Sequence, residues 1–411
     1  MLLCCHKNNI RLKGYTVHQL LIRHPLAVIV MAQLFGTSLW FSINGVAFNL
    51  AAETGLSEAG LGTLTLTVQA GFICGTLLLA TTGLADRFPA SRVFALAAFA
   101  GALVNGLFVL AAETYHLALL LRFLTGLCLA GIYPLGMKLV ISWTPQYAGM
   151  ALGWLVGMLT LGTAMPHLLR AVTPGLSWPV PLLLSSLLAL VAGVLILLLG
   201  DGRQLPARAK AASPLAGLAA WRDATFRRIA GGYFGHCWEL YAFWTLVPFL
   251  VAREVTRLNL DQNWVAWLSF LMIAVGLIGC VAGGYLSRII SGLSIARVAL
   301  FGSGLLCLLY PFLGSQASGL LLGLLFLWGL LVIADSPQFS ALASANAPRE
   351  HLGSALAMMN AIGFGLTLPS IALVTNLWPS LQLWVVLVLL PGPVLGIVSL
   401  MRLNKQELKE I

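Results

Sequence analysis

Apolar runs of about twenty residues recur from one end of this 411-residue chain to the other, and that recurrence leaves few possible folds. A helix of ~20 residues crosses the ~30 Å hydrocarbon core of a bilayer. Inside that core every backbone N–H and C=O must be bonded within the protein, so only helices and closed barrels can cross it. The period-two alternation of a barrel strand is absent here. Asp, Glu, Lys and Arg make up 9% of the residues, against roughly 25% in ordinary soluble domains. The sequence therefore predicts an all-α membrane protein. Its spans lie near 26–50, 61–83, 93–112, 117–138, 148–169, 178–200, 229–251, 263–286, 297–314, 318–340, 353–375 and 381–400.

A net charge of +10 would suggest a nucleic-acid partner in a soluble protein, but here its placement accounts for it. Nineteen of the 23 Lys and Arg fall on one side of the twelve spans, leaving Arg122, Arg170, Arg253 and Arg257 for the other side or the interior. By the positive-inside rule both termini are cytoplasmic, and no nucleic acid is expected. The first 25 residues are polar and basic (Lys7, Arg11, Lys13, Arg23) and lack the pattern of a cleaved signal. Cys74, Cys128, Cys237, Cys280 and Cys307 sit in separate spans, and Cys4 and Cys5 in the tail, so neither a metal site nor a disulfide framework is indicated. With no Gly-x-x-x-x-Gly-Lys-Ser/Thr loop, ATP-driven transport is not expected, and no cofactor is implied.

The polar interval 201–228 splits the chain into six spans and six spans. The division gives a tail (1–25), a first six-helix unit (26–200), a central loop (201–228), a second unit (229–400) and a C-terminal tail (401–411). The two units echo each other. Phe123-Leu124-x-Gly126-Leu127 matches Phe326-Leu327-x-Gly329-Leu330 at an offset of 203, and Pro134 matches Pro337 at the same offset. Phe35-Gly36 and Phe234-Gly235 open the first and seventh spans alike. Parallel six-span repeats of this kind describe one major class of secondary transporter, with substrate held between the repeats.

On these repeats, and on Gly83-Leu84-Ala85-Asp86-Arg87-Phe88-Pro89-Ala90-Ser91-Arg92 between spans two and three, the chain resembles the major facilitator superfamily over nearly its full length. Arg122-x-x-x-Gly126 resembles that superfamily's fourth-span arginine motif. The strings around Gly232–Tyr241 and Ala334–Phe339 look like those of a bacterial branch. The resemblance implies twelve transmembrane helices in two pseudo-symmetric six-helix bundles, alternating access, and a small-molecule substrate. It also implies a place in the bacterial inner membrane and a fold able to act as a monomer. Asp86 and Arg87 are then expected to serve as a conformational lock facing the start of span eleven at Gly353-Ser354.

Only Arg122, Glu239 and Asp335 carry full charges clearly within apolar spans. Glu239 lies about ten residues into its span, a depth of ~15 Å, where an acid is rare and usually functional. It is the expected carrier of a coupling proton. His236 one turn away and Arg122 are expected to set its affinity, because motion that changes the distance between a carboxylate and a cation can load and unload a proton. The competing reading is a static buried pair. Asp335, placed near the cytoplasmic end of span ten, is read either as a latch with Lys138 or as a cap near Pro337. Gln33, Thr37, Trp40 and Asn44 form one stripe on span one, and with Gln69, Tyr241 and Asn360 they outline the expected substrate cavity. Packing of amides and rings between helices is the alternative. The Gly-Pro-x-x-Gly-Gly string of drug exporters is absent from span five, which weakens the alternative of a drug or metabolite efflux proton antiporter without removing it. The expectation is a non-enzymatic secondary transporter for a small organic solute, with the proton as coupling ion. A non-transporting receptor or assembly factor on the same fold is the other class.

Overall fold

The computed structural model describes residues 11–12, 15–82, 84–144, 148–202, 220–347 and 352–403. A two-residue hairpin, β1 (Arg11–Leu12) and β2 (Tyr15–Thr16), precedes an otherwise helical chain. The first half contains α1 (Val17–Arg23), α2 (Pro25–Thr37), α3 (Ala47–Thr54), α4 (Glu58–Thr82) and α5 (Leu84–Arg87). It continues through α6 (Ala90–Ala111), α7 (Tyr115–Ala130), α8 (Tyr133–Trp143), α9 (Ala148–Ala171) and α10 (Pro179–Leu199). The second half holds α11 (Ala224–Arg257), α12 (Asn263–Ala274), α13 (Gly276–Ile290) and α14 (Gly292–Leu309). It ends with α15 (Ser318–Leu331), α16 (Ser336–Asn346), α17 (Leu352–Leu381) and α18 (Pro391–Met401).

Among the described residues, nine segments are long and apolar enough to cross a membrane, the longest being Ala355–Met401 at 47 residues. α11 is not one of them although it has 34 residues. Its glycines, His236 and Glu239 dilute its hydropathy, and through its middle, from Ile229 to Val255, most of its side chains are buried in protein rather than turned outward. Elsewhere the outward faces carry leucine and isoleucine (Leu96, Leu103, Leu110, Leu187, Ile289), as a surface meeting lipid must.

Several of the spans read from the sequence are broken helices. α7 ends at Ala130 and α8 begins at Tyr133; α15 ends at Leu331 and α16 begins at Ser336. Pro134 and Pro337 occupy the second position of the following helix in each case. A proline has no N–H to give and its ring collides with the carbonyl four residues back, so the helix stops one turn before it. The first span is interrupted too. α2 stops at Thr37, and residues 38–46 form turns and a 3-10 segment before α3.

Packing within each half is close. α4 and α7 cross where Gly71 meets the carbonyl of Phe123 and Gly126 meets that of Val68, leaving no room for a side chain on either helix. Between the halves, α4 packs on α17 and α9 packs on α12 and α13.

Candidate functional site

Trp40, carried on the unwound stretch after α2, is wedged between the halves. Its ring lies 4.6 Å from Phe72 within its own half, and 5.6 Å from Tyr241 and 6.1 Å from Phe364 across the interface. Its indole N–H donates to Gln69 Oε1 at 2.7 Å, and the Gln69 amide donates across the interface to Thr367 Oγ1 at 3.1 Å. Farther along, Phe48 stacks edge-on to Phe249 at 5.8 Å, and Gly62 abuts Thr375. These contacts close one end of the interface with rings and one amide.

Beyond Trp40's partners lies a cavity of about 40 Å³ between the halves. α8 and α9 line it from one side, and α11, α16 and α17 from the other, with Tyr241, Trp244 and Phe364 at its sealed end. His236 forms part of its wall. Behind His236, Nδ1 lies 2.7 Å from Asp335 Oδ1, both side chains at most 3% exposed. The two groups form a buried ion pair if the imidazole is protonated. Asp335 stands in the break before α16, where the chain is free of the helical ladder. It makes no capping bond of the kind Asp223 makes to the Phe226 N–H at the start of α11.

Glu239 is 1% exposed and does not line the cavity. Ser303 Oγ donates to its Oε2 and Trp328 Nε1 to its Oε1, both at 2.8 Å, so its carboxyl is turned toward α14 and α15. Three residues on a helix turn through ~300°, so His236 and Glu239 face about 60° apart. Only one of them meets the cavity. Arg122 is also fully buried, but with other partners. It donates to Asn105 Oδ1 (2.8 Å), Ser42 Oγ (3.0 Å), and the carbonyls of Leu39 (3.3 Å) and Trp40 (3.0 Å). Glu239, Arg122 and His236 thus each have different hydrogen-bonding or ion-pair partners, His236 being paired with Asp335, while Glu239 stays within electrostatic range of both. Asp335 therefore sits beside the thirteenth residue of α11, paired with His236.

Of the residues expected to outline a substrate site, Tyr241 and Asn360 line the cavity, while Trp40 and Gln69 belong to its seal. Thr37 bonds the Gln33 carbonyl, Asn44 accepts from Thr65, and the Gln33 amide lies against Gly136, all within the first half. Arg87 is exposed and Lys138 half-buried on α8; Gly353 and Ser354 lie in the first turn of α17, but the side chains of Asp86 and Ser354 lie outside the described set, so the expected lock falls there too. Sequence reading missed Tyr133, Tyr233, Ser336 and Ser340, which also line the cavity. Two of these four flank Pro134 and Pro337 directly, a signal that was present in the repeat.

A family model for the Major Facilitator Superfamily matches residues 27–369. The chain belongs to that superfamily and is a multi-pass membrane transporter. No curated protein matches it.

Proposed function

We propose that this protein is a proton-coupled secondary transporter that carries a small organic solute across the bacterial inner membrane by alternating access. The observation that carries this reading is His236 on the wall of a cavity between the two halves, with buried Asp335 paired to it from behind. Imidazole is the side chain whose charge changes near neutral pH, and a carboxylate at its nitrogen ties that change to its surroundings. A proton gained or lost here alters the net charge of a water-poor space, which the halves must accommodate by shifting or by exchanging solute.

The interface supports alternation. It is sealed at the Trp40–Gln69–Thr367 end and hollow next to it, and rocking would reverse which end is closed. Twelve spans in two six-helix bundles fit the described helices. Ala355–Met401 is long enough for two crossings, and the other two are α2 with its following turns, apolar but short, and α11, long but less apolar. Both termini are then cytoplasmic, and the protein can act as a monomer. Coupling moves from Glu239 to His236, because Glu239 faces away from the cavity.

The test is proton movement in proteoliposomes enclosing a pH-sensitive dye, after a thermal-shift screen has supplied a stabilising solute. The parent protein should move protons when that solute is added, and His236→Gln should bind the solute without moving protons. Solute-driven proton flux that persists in His236→Gln would reject this assignment.

A further inference from the structure

We infer that the solute this cavity takes is an organic amine, bound as its cation, with the ammonium competing with His236 for Asp335. The inference rests on the cavity assignment above, but its test does not require transport.

The chemistry of the walls selects the charge. Tyr133, Tyr233, Tyr241, Trp244 and Phe364 present aromatic surface, whose faces attract cations and pack on apolar rings. No lysine or arginine lines the cavity among the described residues. A desolvated anion would find no cation there except a protonated His236, which Asp335 already holds. A cation finds the opposite: directly behind His236 on the wall stands a buried carboxylate, paired with the imidazole Nδ1 at 2.7 Å, whose place an ammonium can take. Ser336, Ser340 and Asn360 add hydroxyl and amide oxygens able to accept the remaining N–H bonds of an ammonium. In the present conformation the space admits only water, so an amine with a ring-sized body enters when the walls of α8 and α9 part from α11, α16 and α17.

The competition follows from charge. Asp335 with a protonated His236 is neutral as a pair, and so is Asp335 with an ammonium and a neutral His236. Exchanging one for the other keeps the buried charge constant and releases one proton per amine bound. Other groups facing His236 are few. Tyr133 approaches from α8, Tyr233 and Cys237 lie on its own helix, and Glu239 is one turn on. α12, α15, α17 and α18, which also pack on α11, contain no ionisable side chain.

The experiment uses phenethylamine, 2-phenylethanol and phenylacetate, which share a ring and spacer and differ in charge. Equilibrium binding to the detergent-purified full chain is measured across pH ~5.5 to ~8.5, on both sides of the ordinary value of free imidazole. The amine should bind best and more tightly as pH rises, releasing a proton. Asp335→Asn should weaken it about tenfold or more while leaving the alcohol unchanged. His236→Gln should bind the amine more tightly and lose the pH dependence. If Asp335→Asn does not fold, the His236→Gln result decides. Preference for phenylacetate, absence of amine binding, or amine affinity indifferent to both substitutions would each overturn the inference. Amine binding with these responses but no proton-coupled flux would instead reject the transport coupling and leave the ligand class standing.

Discussion

Arg122 carries a charge into the first half and spends it on neutral oxygens. Its two terminal nitrogens hold Asn105, Ser42 and the carbonyls of Leu39 and Trp40. The last two belong to the unwound stretch after α2, whose backbone has lost its helical partners, so the guanidinium replaces the missing ladder. Arg122→Met should therefore lower stability by about 3 kcal/mol or more, since several acceptors lose a charged donor at once. Arg122→Lys should not restore it, because an ammonium cannot fork between a side-chain amide and two carbonyls; the melting temperature of the purified protein checks both. Glu239 makes a contrasting case. Glu254, near the end of α11, is held by Arg253 and Arg257, whereas Glu239 is held by a hydroxyl and an indole. Glu239→Gln keeps an acceptor for one of these donors and should retain solute-driven proton flux. Glu239→Leu leaves both donors unmet and should cost about 2–4 kcal/mol in the same melting assay. The sequence marks Arg122, Glu239 and Asp335 as unusual by their apolar surroundings, but it carries no information on rotation about the helix axis. That rotation, about 60° between His236 and Glu239, decides which of them meets the cavity.

At the scale of elements, prolines and glycines decide the shape of the site. Pro134 and Pro337 stop α7 and α15 one turn early, and each break frees backbone next to the cavity. Their correspondence is legible in the chain itself, through the offset of 203 between the repeats. What could not be read there is that the break lets Asp335 reach α11, because counting 1.5 Å per residue assumes an uninterrupted helix. The α4–α7 crossing depends on Gly71 and Gly126 facing backbone directly. Gly126→Val should force that crossing apart and reduce the yield of monodisperse protein several-fold, whereas Gly319→Ala, in open space, should leave it unchanged. Fluorescence-detected size exclusion distinguishes them. The hydropathy of α11 falls short of a span by composition alone, although its residues 229–251 are legible in the sequence as an otherwise apolar segment around Glu239.

At the scale of the whole molecule, the repeat and the span pattern are readable from the chain, since lipid imposes a coarse and regular constraint on composition. The seal between the halves is not, because it consists of ordinary rings and one glutamine whose partners lie some three hundred positions away. It gives a direct prediction. A Cβ at Gly62 would lie 2.6 Å from that of Thr375, so cysteines at both positions should join across the interface with a small parting of the helices. Oxidation should stop flux in proteoliposomes and dithiothreitol should restore it; flux untouched by a complete crosslink would show that this end never opens. The matched helix breaks have a final consequence. The break before α8 leaves Ile132 against Gly36, and the break before α16 leaves Asp335 against His236 on α11. One joint is greased and the other electrified, so only the second can answer to acidity.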